Sequence, residues 1–328
     1  MAAQLILIAC GAEPNASAII PTRTPTPAPT RVIVIPTVVP PPTPVVPVPL
    51  GPADVVGIID TGASAPIGVT VDGRGNLFVV DVAPRIQKFG PDGRLVAAWG
   101  RQGSGDAEFL LTDAQINGNN IAADPEGNLY VPDTGNARIQ KFDGNGRFLL
   151  AWGSRGNADG QFSFPHGVTV DASQRVVYVA DTNNNRVQGF DTMGRFVAAW
   201  AAGTWTLVDV TADGVGNLSL VDVGGPTVQL RTANGQPLGA WGRYGSGNGQ
   251  MVRPLSTAID GQGTIFVADT GNHRVQRFDR GGRFLAQWGT QGRGIGQFQY
   301  PTGIAVDASG SVFVADMGNH RVQLFRVR

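Results

Sequence analysis

One unit returns six times along this chain, and nothing else in the sequence restricts its fold as strongly. The Asp that closes the second apolar run of each unit falls at Asp81, Asp133, Asp181, Asp222, Asp269 and Asp316, at spacings of 52, 48, 41, 47 and 47 residues. A second Asp stands nine or ten residues earlier each time, at Asp72, Asp124, Asp171, Asp213, Asp260 and Asp307. Trp99, Trp152, Trp200, Trp241 and Trp288 close five of the units, and Arg85, Arg138, Arg186, Arg274 and Arg321 follow the anchor Asp in five. Self-similarity at such a period marks a repeat architecture, in which each unit buries its apolar faces against its neighbours.

Each unit reads as four short strands, a to d. In the best copy, residues 256–289, strand a is Thr257–Ile259, strand b Thr264–Ala268, strand c Arg274–Phe278 and strand d Arg283–Trp288. Asp, Gly and Asn clusters separate them, which is the signal of antiparallel strands joined by tight turns. Strands a and b are nearly continuous apolar runs, such as Ile304-Ala305-Val306 and Val312-Phe313-Val314-Ala315. A strand reads that way when both faces are covered, as in sheets stacked around an axis. The sequence therefore predicts an all-β chain, a six-bladed β-propeller of four-stranded antiparallel blades. The sixth copy ends after strand c, and an orphan strand at residues 54–60 precedes the first copy. That strand is expected to complete blade six and close the ring, removing exposed sheet edges.

The run from Phe266 to Asp279, with Asn272-His273-Arg274 at its centre, resembles the NHL repeat, as does Phe313 to Phe325 with Asn319-His320-Arg321. The connecting segment GRGIGQFQYP, residues 292–301, is similar to that family's link. The resemblance covers residues 54–328. It departs in blade four, where Thr227 replaces the Arg and Ser219 is expected to interrupt strand b. It implies a six-bladed platform that binds a ligand or a protein, with lyases and hydrolases among its relatives.

The 23 prolines cluster before residue 55 and the 46 glycines spread after it. Residues 1–10 contain Leu7-Ile8-Ala9-Cys10, which looks like the lipobox of bacterial lipoproteins, with Cys10 as the lipidated residue. No Lys or Arg precedes this short apolar run. Residues 11–53 carry a proline every few positions, which disfavours helix and sheet ladder alike and predicts an extended Pro/Thr-rich stalk. Residues 54–328 form the propeller. The expectation is an extracytoplasmic domain at the cell envelope, held to a membrane only by an N-terminal lipid. A formal net charge of zero argues against nucleic acid as a partner, because phosphate binding needs excess positive charge. A single cysteine excludes an internal disulfide.

Of the 25 acidic residues 22 are Asp, and most sit at repeat positions. There they are expected to form side chain–backbone turns. The strand-b Asp is also expected to pair with the Arg opening strand c. Two acids break the pattern: Asp222 has no Arg partner, and Asp209 is not a repeat Asp. Four and five residues before each strand-a Asp, at the channel entrance on the face of the d-to-a links, lie Ile67-Gly68, Asn119-Asn120, His166-Gly167, Val208-Asp209, Leu255-Ser256 and Thr302-Gly303. The short link 201–205 leaves a notch beside Trp205. Candidate ligand-binding residues are therefore Asn119, Asn120, His166, Trp205, Asp209 and Asp222, and the ligand class is a protein, peptide or glycan. Lyases of this fold that cleave peptidyl hydroxyglycine hold zinc with three histidines. Here His273 and His320 occupy equivalent repeat positions and only His166 reaches the channel, so no metal set and no cofactor is assigned. The alternative is an enzyme of the lactone hydrolase or lyase type, with a divalent metal or the His166/Asp209 pair at the channel. No Gly-x-Ser-x-Gly elbow supports a serine nucleophile, and the domain holds no cysteine.

Overall fold

The computed structural model describes residues 48–49, 53–62, 64–111, 120–204 and 206–328. Among these, six antiparallel sheets follow one another in chain order, five built a-b-c-d from consecutive strands. The sixth is Pro301–Val306, Ser311–Asp316 and Arg321–Val327, completed by the N-terminal strand Ala53–Asp60. The register of that closure runs from Ala53 opposite Val327 to Asp60 opposite Arg321. The ring is thus shut as the sequence predicts, and Arg328 adds an ion pair to Asp54 at 2.7 Å. A fifth strand, Val48–Pro49, lies outside Ala53–Asp60, with Val48 opposite Val55. Proline was expected to keep this segment out of any ladder. It is accommodated because an outermost edge strand can leave its missing N–H on the open side. The lipobox, Cys10 and the remainder of the stalk lie outside the described residues.

Blades join through aromatic side chains. Trp99, Trp152, Trp241 and Trp288 each pack on the strand-c Phe of the next blade, Phe142, Phe190, Phe278 and Phe325, at centroid distances of 5.7–6.2 Å. The following c-to-d turn passes directly beneath the indole. A Cβ on Gly146 would sit 2.5 Å from Trp99, and one on Gly282 2.6 Å from Trp241. Both glycines also have φ above +80°, so size and backbone conformation demand glycine together.

The strand-b Asp gathers the rest of each blade. Asp133 accepts from the Leu110 N–H at 2.8 Å, Arg138 Nε at 2.7 Å and Gln140 Nε2 at 3.0 Å, as well as from Asn136 Nδ2 at 2.9 Å. Asp181, Asp269 and Asp316 repeat this set with Ser163, Val252 and Gln299 as the link amide. Each carboxylate is fully buried. In blade four Asp222 accepts from the backbone N–H groups of Thr206, Gly224 and Gly225 at 2.9–3.2 Å. Strand b of that blade runs unbroken from Asn217 to Asp222. The expected interruption at Ser219 does not occur, because its hydroxyl shares a 2.7 Å hydrogen bond with Thr257 Oγ1 of blade five.

Two outcomes follow. A chain beginning at residue 65 melts well below one beginning at 51, and equal melting temperatures contradict closure by residues 53–60. Asp269→Ala strands a buried Arg, Asn, Gln and link amide and costs about 3–5 kcal/mol in urea unfolding, whereas Asp260→Ala in an exposed turn costs about 1 kcal/mol.

Candidate functional site

The six strand-a entrances converge as the register predicts. At the position four before the strand-a Asp, three blades carry glycine and three a polar side chain. Gly167 touches blade four so closely that a Cβ would lie 2.7 Å from Asp209 Cα, and a Cβ on Gly303 would lie 2.9 Å from Gly68 Cα. Glycine lets the strands approach, and the polar residues fill the axis. Asn120 of blade two donates from Nδ2 to Asp209 Oδ1 of blade four and to Ser256 Oγ of blade five, both at 3.2 Å. Asp209 Oδ2 accepts from the Thr257 N–H at 2.9 Å. Thr211 Oγ1 donates to the Thr257 carbonyl at 3.0 Å. These contacts reach across the ring and form a buried polar plug.

Beyond the plug the channel is lined by the middle of every strand a, mainly Val69, Val71, Ile121, Val168, Val170, Ile304 and Val306 with Thr70, Thr169 and Thr211, around about 140 Å³. Asp209 is fully buried among these groups. Burial pushes its carboxyl up to about 7, against the lowering by its N–H and side-chain donors. Asn120 Oδ1 is also buried and has no hydrogen-bond partner among the described residues.

His166 is buried, with Nδ1 2.9 Å from Thr182 Oγ1. Asp222 stands one link away, holding Thr206 in place. The structure thus joins Asn120 and Asp209 directly and sets His166 beside Gly167, which packs on Asp209. Asp222 is engaged with its own loop. Asn119 and Trp205 lie outside the described residues. Sequence reasoning missed Ser256 and Thr257 as members of the plug, although the register had already placed Ser256 at the same level.

The three histidines do not fit a shared metal. His273 and His320 each follow a one-turn 3₁₀ segment in left-handed conformation, at φ 55° and 56°. His273 stacks on Tyr300 at 4.8 Å and its Nδ1 accepts the Tyr300 N–H. Among the described residues no three His, Cys, Asp or Glu side chains are grouped to hold a metal ion.

On the link face, side chains are exposed around the entrances to blades five and six: Tyr244, Arg253, Ile295 and Tyr300. Phe164, Arg253 and Tyr300 each immediately precede the proline that opens strand a, with φ of 55°, 49° and 56°. A left-handed residue before proline is a strained conformation, and it recurs here at three equivalent positions.

Three segments, residues 162–190, 251–278 and 298–325, match the NHL repeat. The chain carries NHL repeats. It is 34% identical over 119 residues to peptidyl-glycine alpha-amidating monooxygenase B of Xenopus laevis, covering 33% of this chain and 13% of that protein. The A form from the same organism matches at the same identity and covers 12% of its own length. The chain thus spans about an eighth of the curated relatives it matches. Among solved structures, a streptogramin B lyase superposes with a TM-score of 0.57 at 14% identity, covering 83% of this chain and 97% of that one. A protein of unknown function from Bacteroides thetaiotaomicron gives 0.62 at 14% identity, covering 83% and 72%. Kuenenia stuttgartiensis hydrazine synthase gives 0.57 at 13%, covering 82% and 97%. At these identities the structural matches establish the six-bladed fold alone.

The plug carries a pH signature. A carboxyl raised in the folded state binds its proton more tightly there than in the unfolded chain. Its contribution to stability is complete near pH 4 and falls as pH rises toward 7, by on the order of a few kcal/mol. Asp209→Asn, which needs no proton, removes that part of the slope. Chemical denaturation of both forms from pH 4 to 8 checks this, and parallel curves contradict it.

Proposed function

We propose that this NHL propeller is a binding module that recognises a protein, peptide or glycan across its link face, tethered outside the cytoplasm by the N-terminal segment. The observation that carries the reading is the contrast between the axis and the rim. At the axis Asn120, Asp209, Ser256 and Thr257 are buried and bonded to one another. At the rim Tyr244, Arg253, Ile295 and Tyr300 stand exposed on rigidly held links. Aromatic and Arg side chains on a fixed scaffold lose little entropy on binding and dominate recognition energy. By sequence register alone, Trp205 in the short link into blade four and Asn119 at the strand-a entrance of blade two are assigned to this surface. His166, Asn120, Asp209 and Asp222 support it from beneath.

Arrays of peptides and glycans probed with the full chain test the reading. Tyr244→Ser, Tyr300→Ser and Trp205→Ala each weaken a captured ligand about tenfold or more, the loss expected of an aromatic anchor. Met193→Ser and Val215→Ser, on the opposite face, leave it unchanged. Loss of binding from the opposite-face pair alone contradicts the proposal.

The match to the amidating monooxygenases favours a second reading, an enzyme of the lyase or lactone hydrolase type using His166 and Asp209 at the channel. Turnover of a lactone or peptidyl hydroxyglycine panel that Asp209→Asn and His166→Ala both abolish would establish it. Turnover retained in both variants excludes those residues.

A further inference from the structure

Charge is distributed unevenly around the link face. The links into blades two and three, residues 100–111 and 153–164, carry Arg101 and Arg155 together with Asp106, Glu108 and Asp159. Acids there answer the local cations: Glu108 accepts from Arg101 Nε at 2.8 Å, and Asp159 lies 3.8 Å from Arg186. The links into blades five and six, residues 242–253 and 289–300, carry Arg243, Arg253 and Arg293 and no acid. The b-to-c loops beside them, residues 270–273 and 317–320, hold no acid either. The carboxylates that end the adjoining strands, Asp269 and Asp316, are buried and already bound to Arg274 and Arg321. Arg243 and Arg293 are exposed and form no ion pair among the described residues.

These residues belong to one connected piece of surface, because the b-to-c loop of blade five ties the two links together. Its Gly271 N–H donates to the Val252 carbonyl at 2.8 Å, next to Arg253. Its Asn272 Nδ2 donates to the Gly245 carbonyl at 2.9 Å, next to Tyr244. On the other side of the loop His273 stacks on Tyr300 of the following link, with ring centroids 4.8 Å apart. The loop of blade six repeats the arrangement: Asn319 Nδ2 donates to the Gly292 carbonyl at 2.9 Å, beside Arg293. Tyr244 is 76% exposed and Tyr300 42%. Two tyrosines are thus held on a bonded framework among three arginines. Ile295 is exposed as well, at the link register where blades two and three carry Asp106 and Asp159.

Cations at a rim that has no acids of its own gain most from a ligand that brings carboxylates, and they steer its approach. Ile295 decides what carries those carboxylates. An aliphatic side chain offers no hydrogen bond to a sugar hydroxyl or a phosphate, but it packs on another apolar side chain. We infer that the link face of blades five and six binds an acidic peptide, with its carboxylates at Arg243, Arg253 and Arg293 and an apolar side chain among Tyr244, Ile295 and Tyr300. This rests on the binding reading above and narrows it to one ligand class and one sector of the face. The acids on the links into blades two and three disfavour the same peptide there, which fixes its position.

An array of peptides of defined sequence, sorted by net charge, tests this with the full chain. An oligogalacturonate and a single-stranded oligonucleotide of matched charge are probed beside it. Acidic peptides containing Leu, Ile or Phe are captured, and neutral and basic ones are not. Raising salt from about 50 to about 500 mM weakens capture. Arg243→Gln with Arg293→Gln weakens it about tenfold without moving the melting temperature, and Arg101→Gln with Arg155→Gln does not. Capture of neutral or basic peptides that still depends on Tyr244 and Tyr300 overturns the inference and leaves the binding reading intact. Equal losses from the two Arg pairs, or capture of the oligogalacturonate in place of peptides, do the same. Capture of the oligonucleotide alone, or of no probe, overturns the inference outright. Loss of capture from Met193→Ser and Val215→Ser alone overturns both.

Discussion

A single buried carboxylate per blade holds this propeller together. The Asp at the end of strand b receives the amide of the incoming link, the Asn of the b-to-c loop, the Arg that opens strand c and the Gln two residues further on. In blade five these donors lie 2.7–3.0 Å from Asp269. Taking a carboxylate and a guanidinium out of water is costly, and such a pair is favourable only when its remaining hydrogen-bonding positions are filled. Burial does push the Asp81 and Asp269 carboxyls up in spite of their Arg partners. The surrounding N–H groups make the arrangement tolerable, and in return one residue fixes four separate pieces of chain. The aromatic clamp between blades then has a fixed platform to close upon.

Where this hub is incomplete, the molecule does something different. Blade four has no Arg on its hub, and three backbone N–H groups replace it. The same blade contributes Asp209 to the axial plug and is entered by the short link of residues 201–205. In blade one Asp81 keeps Arg85 at 2.8 Å and is joined by the Ser64 side chain and the Ala83 amide, but among the described residues no Gln or link amide joins them, and Arg85 is more exposed than its counterparts. That blade follows blade six, whose outer edge carries Val48–Pro49. The scaffold positions thus repeat in blades two, three, five and six and change in blades one and four, the two blades entered by short links.

Much of this was legible in the residues. The period, the strand-b Asp with its Arg, the missing final strand and its N-terminal replacement all follow from patterns that one blade must satisfy by itself. The level of Asn120, Asp209 and Ser256 was legible too, since register alone sets it. Their mutual contact was not, because it depends on how close three strands from different blades come across the axis, which the glycines at 68, 167 and 303 decide. Ser219 reads as a flaw in a strand until Thr257 of the neighbouring blade is seen opposite it. Asp222 reads as an unpaired acid because backbone donors leave no trace in side-chain identity. The pairing of Val48–Pro49 ran against propensity, and only the position of that segment at an outer edge permits it.

The hub is most directly tested by native-state hydrogen exchange of the four link amides that point at it, those of Leu110, Ser163, Val252 and Gln299. Exchange rates report the local opening that frees each amide. If the carboxylate ties the link to the blade, these amides exchange as slowly as those within strand c, and Asp269→Asn releases Val252 while leaving the other three protected. If they exchange as fast as the amides of Gln262 and Ser309, which also bond to Asp side chains but in exposed turns, the strand-b Asp is no hub and the links are held by other means.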